Sequence, residues 1–262
     1  MSPLKKIFLA VAIAVALIWG IWIAFPLSAI QSIIEDSLGD YGLSVTFSNI
    51  RKGILYRLRA DGITLRHGAR DIILLNSLDA TLHPLYLIDS RIRISFQGRV
   101  GSGFFSGDAD LSRTSLVMHL DFDRVSLADL QFLHVVGISG NGTIAGKIAV
   151  DNQVRRISFL LRDADMQPVR IAESLLPLNF FRTVRGSFEV GGRHIRVESI
   201  SLEGPNVFAR LKGVIMEGNM DMQMEVMPEK AFLENPLFLA QLERYQVSPG
   251  YYVIPVKGPV VF

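Results

Sequence analysis

The sequence predicts a mainly β protein: an N-terminal apolar helix, then a long run of antiparallel strands with a few short helices between them. Three observations lead there. One is an uncharged 19-residue stretch, Ile7–Phe25; another is a dominant apolar period of two from Leu43 onward; the third is a turn residue pair every few positions. Clean alternation belongs to antiparallel meanders with one wetted face, because parallel sheets covered by helices on both sides read as unbroken apolar runs.

The first element is the apolar stretch. At about 1.5 Å per residue, 19 helical residues reach about 28 Å, close to the roughly 30 Å hydrocarbon core of a bilayer. Lys5 and Lys6 precede it, and no Lys or Arg follows Phe25 until Arg51, so a cytoplasmic N-terminus is expected. Trp19 and Trp22 fall in its last third, where an indole suits the outer headgroup layer. The stretch exceeds the usual h-region of a cleaved signal, and Pro26-Leu27-Ser28-Ala29 lacks a small residue at the −3 position. A retained single-pass anchor is therefore expected, with residues 1–26 as tip and anchor and everything beyond on the outer side. Lys5, Lys6, Ile7, Trp19, Trp22 and Phe25 are its markers.

Residues 27–42 form the next unit. Leu27, Ile30, Ile33, Ile34 and Leu38 recur at helical spacing against Gln31, Glu35 and Asp36, which predicts a short amphipathic helix. Its stripe suits either a cap on the sheet or the membrane surface; the cap is the simpler expectation.

Residues 43–262 are expected to hold the β domain. Ile92, Ile94 and Phe96 alternate with Arg91, Arg93, Ser95 and Gln97; Met118, Leu120 and Phe122 alternate with His119, Asp121 and Asp123. Ile157, Phe159 and Leu161 repeat the pattern, as do Met220, Met222 and Met224 against Asp221, Gln223 and Glu225. Turns are expected at Asp61-Gly62, His67-Gly68, Gly101 to Gly103, Asn141-Gly142, Gly191-Gly192 and Gly218-Asn219; Asn-Gly is the strongest hairpin signal of these. Helical interruptions are expected at Ser126–Val136, at Val169–Arg182 broken by Pro177, and at Pro228–Tyr245 broken by Pro236. A weak repeat is also visible: Gly103, Gly142 and Gly186, 39 and 44 residues apart, are each expected to open a strand after a turn.

Chemistry is hard to place on this frame. His119, Asp121 and Asp123 share one strand face and could contribute to a metal site, but no partner cluster is near in sequence, so a solvated face is expected. Gly137 to Gly146 is glycine-rich like a phosphate loop, yet the alternating run Thr143–Val150 follows it where a helix is required. No nucleophile elbow accompanies the five histidines, so neither an enzyme nor a cofactor is expected. Asn141-Gly-Thr143 fits a glycosylation sequon, relevant only in a eukaryote. Twenty-seven basic and 25 acidic residues are interspersed, which argues against nucleic acid, and the absence of cysteine excludes disulfides and thiolate metal sites. Five of eight methionines crowd Met216–Met227, an adaptable apolar stripe that suits a core strand or lipid chains.

The order of parts resembles the AsmA-like superfamily of bacterial envelope proteins, and within it the short members that serve type II secretion. The resemblance rests on the lysine-flanked anchor and amphipathic helix, on Leu43–Ile50 and Leu58–Arg66, and on the glycine-punctuated meander. The closing Tyr252-Val-Ile-Pro-Val-Lys-Gly-Pro-Val260 is similar to the family's late segment. It covers essentially the whole chain through pattern and order. It implies a single-pass inner-membrane protein with a periplasmic, long, curved antiparallel sheet whose apolar concave face could take up phospholipid or lipopolysaccharide. It further implies contacts with other secretion-system components and an accessory, non-enzymatic role in export across the outer membrane. The groove would be lined by Ile92, Ile94, Phe96, Met118, Leu120, Phe122, Met220, Met222 and Met224.

Overall fold

The computed structural model describes residues 19–20, 22–24, 26–39, 42–131, 133, 137–152, 154–171, 174–192, 194–233 and 242–259. Lys5, Lys6, Ile7 and Phe25, and with them most of the expected anchor, lie outside these residues. Among the described residues no helix is long and apolar enough to cross a membrane.

Helix α1 spans Leu27–Gly39. Pro26 precedes it and Gly39 ends it, after which Gly42 takes φ +70° and donates its N–H to the Gly39 carbonyl at 2.9 Å. Ile34 and Leu38 pack against Val45, Ala60 and Ile63, so the amphipathic stripe lies on the sheet. The strands that follow are β1 (Leu43–Lys52), β2 (Arg57–His67), β3 (Arg70–Leu82), β4 (Ile92–Val100), β5 (Gly103–Leu111) and β6 (Leu116–Ser126). After them come β7 (Gly140–Asp151), β8 (Val154–Met166), the short β9 (Val169–Ile171) and β10 (Ser174–Leu176), then β11 (Thr183–Gly191) and β12 (His194–Gly204). The chain continues through β13 (Val207–Met216), β14 (Asn219–Pro228), the single turn of α2 (Lys230–Leu233), β15 (Gln246–Ser248) and β16 (Tyr251–Pro259).

Fourteen strands form one open antiparallel sheet in the order β1-β2-β3-β4-β5-β6-β7-β8-β11-β12-β13-β14-β16-β15. Nearly every strand pairs with its neighbour in sequence. At about 4.8 Å per step the ladder is on the order of 60 Å long. The expected mainly β, antiparallel fold is thus present.

Four local expectations are corrected. Val169–Arg182 is not helical: β9 and β10 pair as a small separate hairpin, and a 3-10 turn follows at Leu178–Phe180. Val169, Leu176, Leu178 and Phe181 are buried, so tertiary packing selects extended backbone where the apolar spacing suggested a helix. Asn141-Gly142 is not a hairpin turn. Both residues lie inside β7, and Gly142, at φ +144°, sits where the pairing with β8 shifts register, so its backbone freedom serves a bulge. Gly62 likewise lies within β2, at φ +57°. The repeat fails with them: Gly103 opens β5, but Gly142 is third in β7 and Gly186 fourth in β11.

Of the other helical expectations, Ser126–Val136 contains a 3-10 turn at Leu127–Asp129, with residues 132 and 134–136 outside the described set. Pro228–Tyr245 contains α2 and a 3-10 turn at Glu243–Tyr245, with 234–241 likewise outside.

Candidate functional site

Each strand contributes alternate residues to two faces, and register decides which of them become neighbours. On one face a single row runs Ile50, Ala60, Leu78, Gly98, Phe105, Phe122, Gly146, Phe159, Gly186, Ile200, Leu211, Met224, Ile254, each paired with the next across adjacent strands. It crosses from β1 to β16 without a polar side chain. The next row begins at Lys52 on β1 and from β2 onward is apolar: Leu58, Ala80, Phe96, Gly107, Leu120, Ile148, Ile157, Phe188, Val197, Gly213, Met222, Val256.

Glycines in these rows make room for rings. A Cβ on Gly98 would lie 2.5 Å from Phe105, one on Gly107 2.7 Å from Phe96, one on Gly146 2.6 Å from Phe122 and one on Gly186 2.5 Å from Phe159. Each phenyl ring therefore lies over the bare backbone of the neighbouring strand, and rings also meet one another at 6.4 Å in the pairs Phe96–Phe105 and Phe159–Phe188.

Cover over this face is uneven. At the β1 end α1 packs on it through Ile34 and Leu38. Toward the C-terminal end, β9, β10, the 3-10 turn at Leu178–Phe180 and Leu242 join one buried cluster with Met220, Met222, Met224, Tyr252, Ile254 and Val256. Those three methionines are 7%, 5% and 1% exposed and belong to the core. Between the two ends, Ile94, Phe96, Met118, Leu120 and Phe122 are only half-buried, and Ile92 is exposed. Beneath them a smaller buried cluster, Val100, Phe105 and Val125, gathers Phe96, Leu120, Phe122 and, from the segment after β6, Leu130, so this middle stretch is covered in part. Sequence reasoning named the alternating residues of the middle, and Phe159 beyond them, but missed Phe105, Ile148 and Phe188, because partnership across strands depends on register.

The opposite face is charged. Asp121 pairs with Lys147 at 2.9 Å, Arg59 with Asp79 at 2.7 Å and Lys257 with Asp221 at 3.1 Å, all across strands and all largely exposed, so solvent screens them and each adds little to stability. Hydrogen bonding to Asp79 raises the Arg59 pKa, and hydrogen bonding to Asp110 does the same for Arg91. A shallow hollow of about 650 Å3 lies on this side, over Ser106, Asp121, Lys147, Ser158, Arg185 and Ser187. His119 shares the face, while Asp123 meets Arg124 at 3.6 Å. Among the described residues no group of three or more His, Asp or Glu could hold a metal ion.

Trp22 occupies a defined place. Its indole N–H donates to the Gly53 carbonyl at 3.2 Å, its ring lies 5.3 Å from Tyr56, and the Lys52 ammonium sits 5.0 Å over it while donating to the carbonyls of Trp22 and Ile23. Trp19 is 43% exposed. No family model, curated protein or solved structure matches this chain.

Proposed function

We propose that this chain is a non-enzymatic, membrane-tethered component of a bacterial envelope machine. It is AsmA-like in kind and serves the type II secretion apparatus as an accessory on the periplasmic side, in the manner of that system's protein N. The observation that carries the reading is the unbroken ladder itself: one sheet, apolar along one face and ionic along the other. A surface of that form suits holding and positioning other envelope components. The sequence supports the location through Lys5 and Lys6 before the apolar stretch and the absence of basic residues just after it. Deleting the gene in its native host is expected to reduce export of folded exoproteins while leaving outer-membrane lipid composition unchanged. Intact secretion with altered lipids would refute this reading.

A second reading is favoured by one specific feature, the half-buried apolar stretch at Phe96, Leu120 and Phe122. In it the face takes up acyl chains and the chain handles lipid. Mass spectrometry of protein purified in a detergent exchangeable for amphipol would then show co-purifying phospholipid or lipopolysaccharide, which Phe122→Asp would deplete. Protein free of lipid would discard it.

A further inference from the structure

Large apolar side chains exposed to solvent are concentrated at one end of the strands. Ile54 and Leu55, at the tip joining β1 to β2, are 72% and 67% exposed; Leu85 and Ile88, in the 3-10 turn Pro84–Asp89 joining β3 to β4, are 76% and 78% exposed, and Leu87 is also exposed. The bases of the two loops adjoin, since the Leu82 N–H at the end of β3 donates to the Tyr56 carbonyl just before β2 at 3.0 Å. Both therefore leave the same corner of the sheet and together expose an apolar patch, of a kind that marks an interaction surface.

Three further observations say what covers it. The β1–β2 tip is fastened to the end of the apolar N-terminal stretch by the Trp22 and Lys52 bonds, which puts the patch where that stretch leaves the bilayer. The patch is rimmed as a membrane interface is, by Trp22, Tyr56 and Tyr86, with Lys52 and Arg57 flanking the tip and the Arg93 guanidinium 5.3 Å over the Tyr86 ring. Asp89 is the sole acid in either loop. The tip is also strained: Leu55 and Tyr56 adopt φ +57° and +61°, a pair of left-handed positions that Asn-Gly would fill with less strain. Bulky apolar residues at such positions are explained by what they touch.

We propose that these two loops form a second, monotopic contact with the membrane, seated in the headgroup and upper acyl layer of the leaflet from which the N-terminal helix emerges. The inference rests on reading Ile7–Phe25 as a membrane span. Together, helix and loops make two points of attachment, so the sheet holds a fixed orientation to the bilayer instead of swivelling on one tether.

The chain has no cysteine, so single-cysteine variants of the full chain can be labelled with the polarity-sensitive dye NBD. Ile54→Cys and Ile88→Cys report the loops, Ala24→Cys the helix, and Gln223→Cys the polar face of β14. The labelled chains are reconstituted in vesicles of phosphatidylethanolamine and phosphatidylglycerol carrying nitroxide on the upper acyl chain. Quenching at 54 and 88 is expected to exceed that at 223 several-fold, and Leu55→Asp is expected to halve the signal at 54 with the melting temperature held. Quenching at 24 but not at 54 and 88 would overturn the proposal and leave the span standing. Quenching at 54 and 88 without 24 would support the loops and remove the span. A blue-shifted but unquenched dye at 54 and 88 would show a protein partner over the patch and also overturn it.

Discussion

At Gly98 a methyl group would come within 2.3 Å of the Ser77 carbonyl as well as 2.5 Å of the Phe105 ring, so neither a rotamer change nor a small ring shift alone can accommodate it. Gly98→Ala is expected to destabilise the sheet by about 1–3 kcal/mol through overpacking, read as a lower urea midpoint with unchanged slope. Met224 makes the complementary case. At 1% exposure, its truncation to Ala leaves a void in the C-terminal cluster, and a loss of about 2–5 kcal/mol is expected by the same assay. Leu55 should behave oppositely. Its positive φ is better suited to Asn, so Leu55→Asn is expected to raise the melting temperature slightly while weakening the loop's hold on lipid. A variant that gains stability and loses attachment would separate folding from function at one position.

Among the elements, legibility in the sequence followed how local the governing physics is. The stretch Arg91–Arg99 was readable because side chains of a strand alternate regardless of what lies beside it, and β4 spans Ile92–Val100. Helix α1 was readable through its 3.6-residue stripe. Asn141-Gly142 misled because positive φ serves bulges as readily as turns, and a single sequence does not say which. Val169–Arg182 misled because its extended form is fixed by burial of Leu176, Leu178 and Phe181 against distant strands. The candidate surface was half legible: Phe96, Leu120 and Phe122 stood out by alternation, whereas their alignment with Gly146, Phe159 and Gly186 is a property of register. At this scale Ile34→Glu is expected to lift α1 from Val45 and Ile63, seen as faster amide exchange in Leu27–Gly39 with the central strands still protected.

For the molecule as a whole, the proposed function makes tether and sheet one device. If a fixed pose beside the membrane matters, replacing Ile7–Phe25 with a cleavable signal should abolish activity even though the released sheet folds. Restoration of secretion by the released form would show that the tether only concentrates the protein near its partners.

The near-sequential strand order has a further consequence for how the chain is made. A strand that pairs with its immediate predecessor needs nothing still inside the ribosome, so the ladder can assemble vectorially as the polypeptide emerges, beginning with β1 and β2. Until the last strands arrive, each newly added strand presents an open edge capable of recruiting the wrong chain. On this route α1, which precedes every strand, shields the earliest apolar surface through Ile34 and Leu38 and so acts as a built-in chaperone for the nascent sheet.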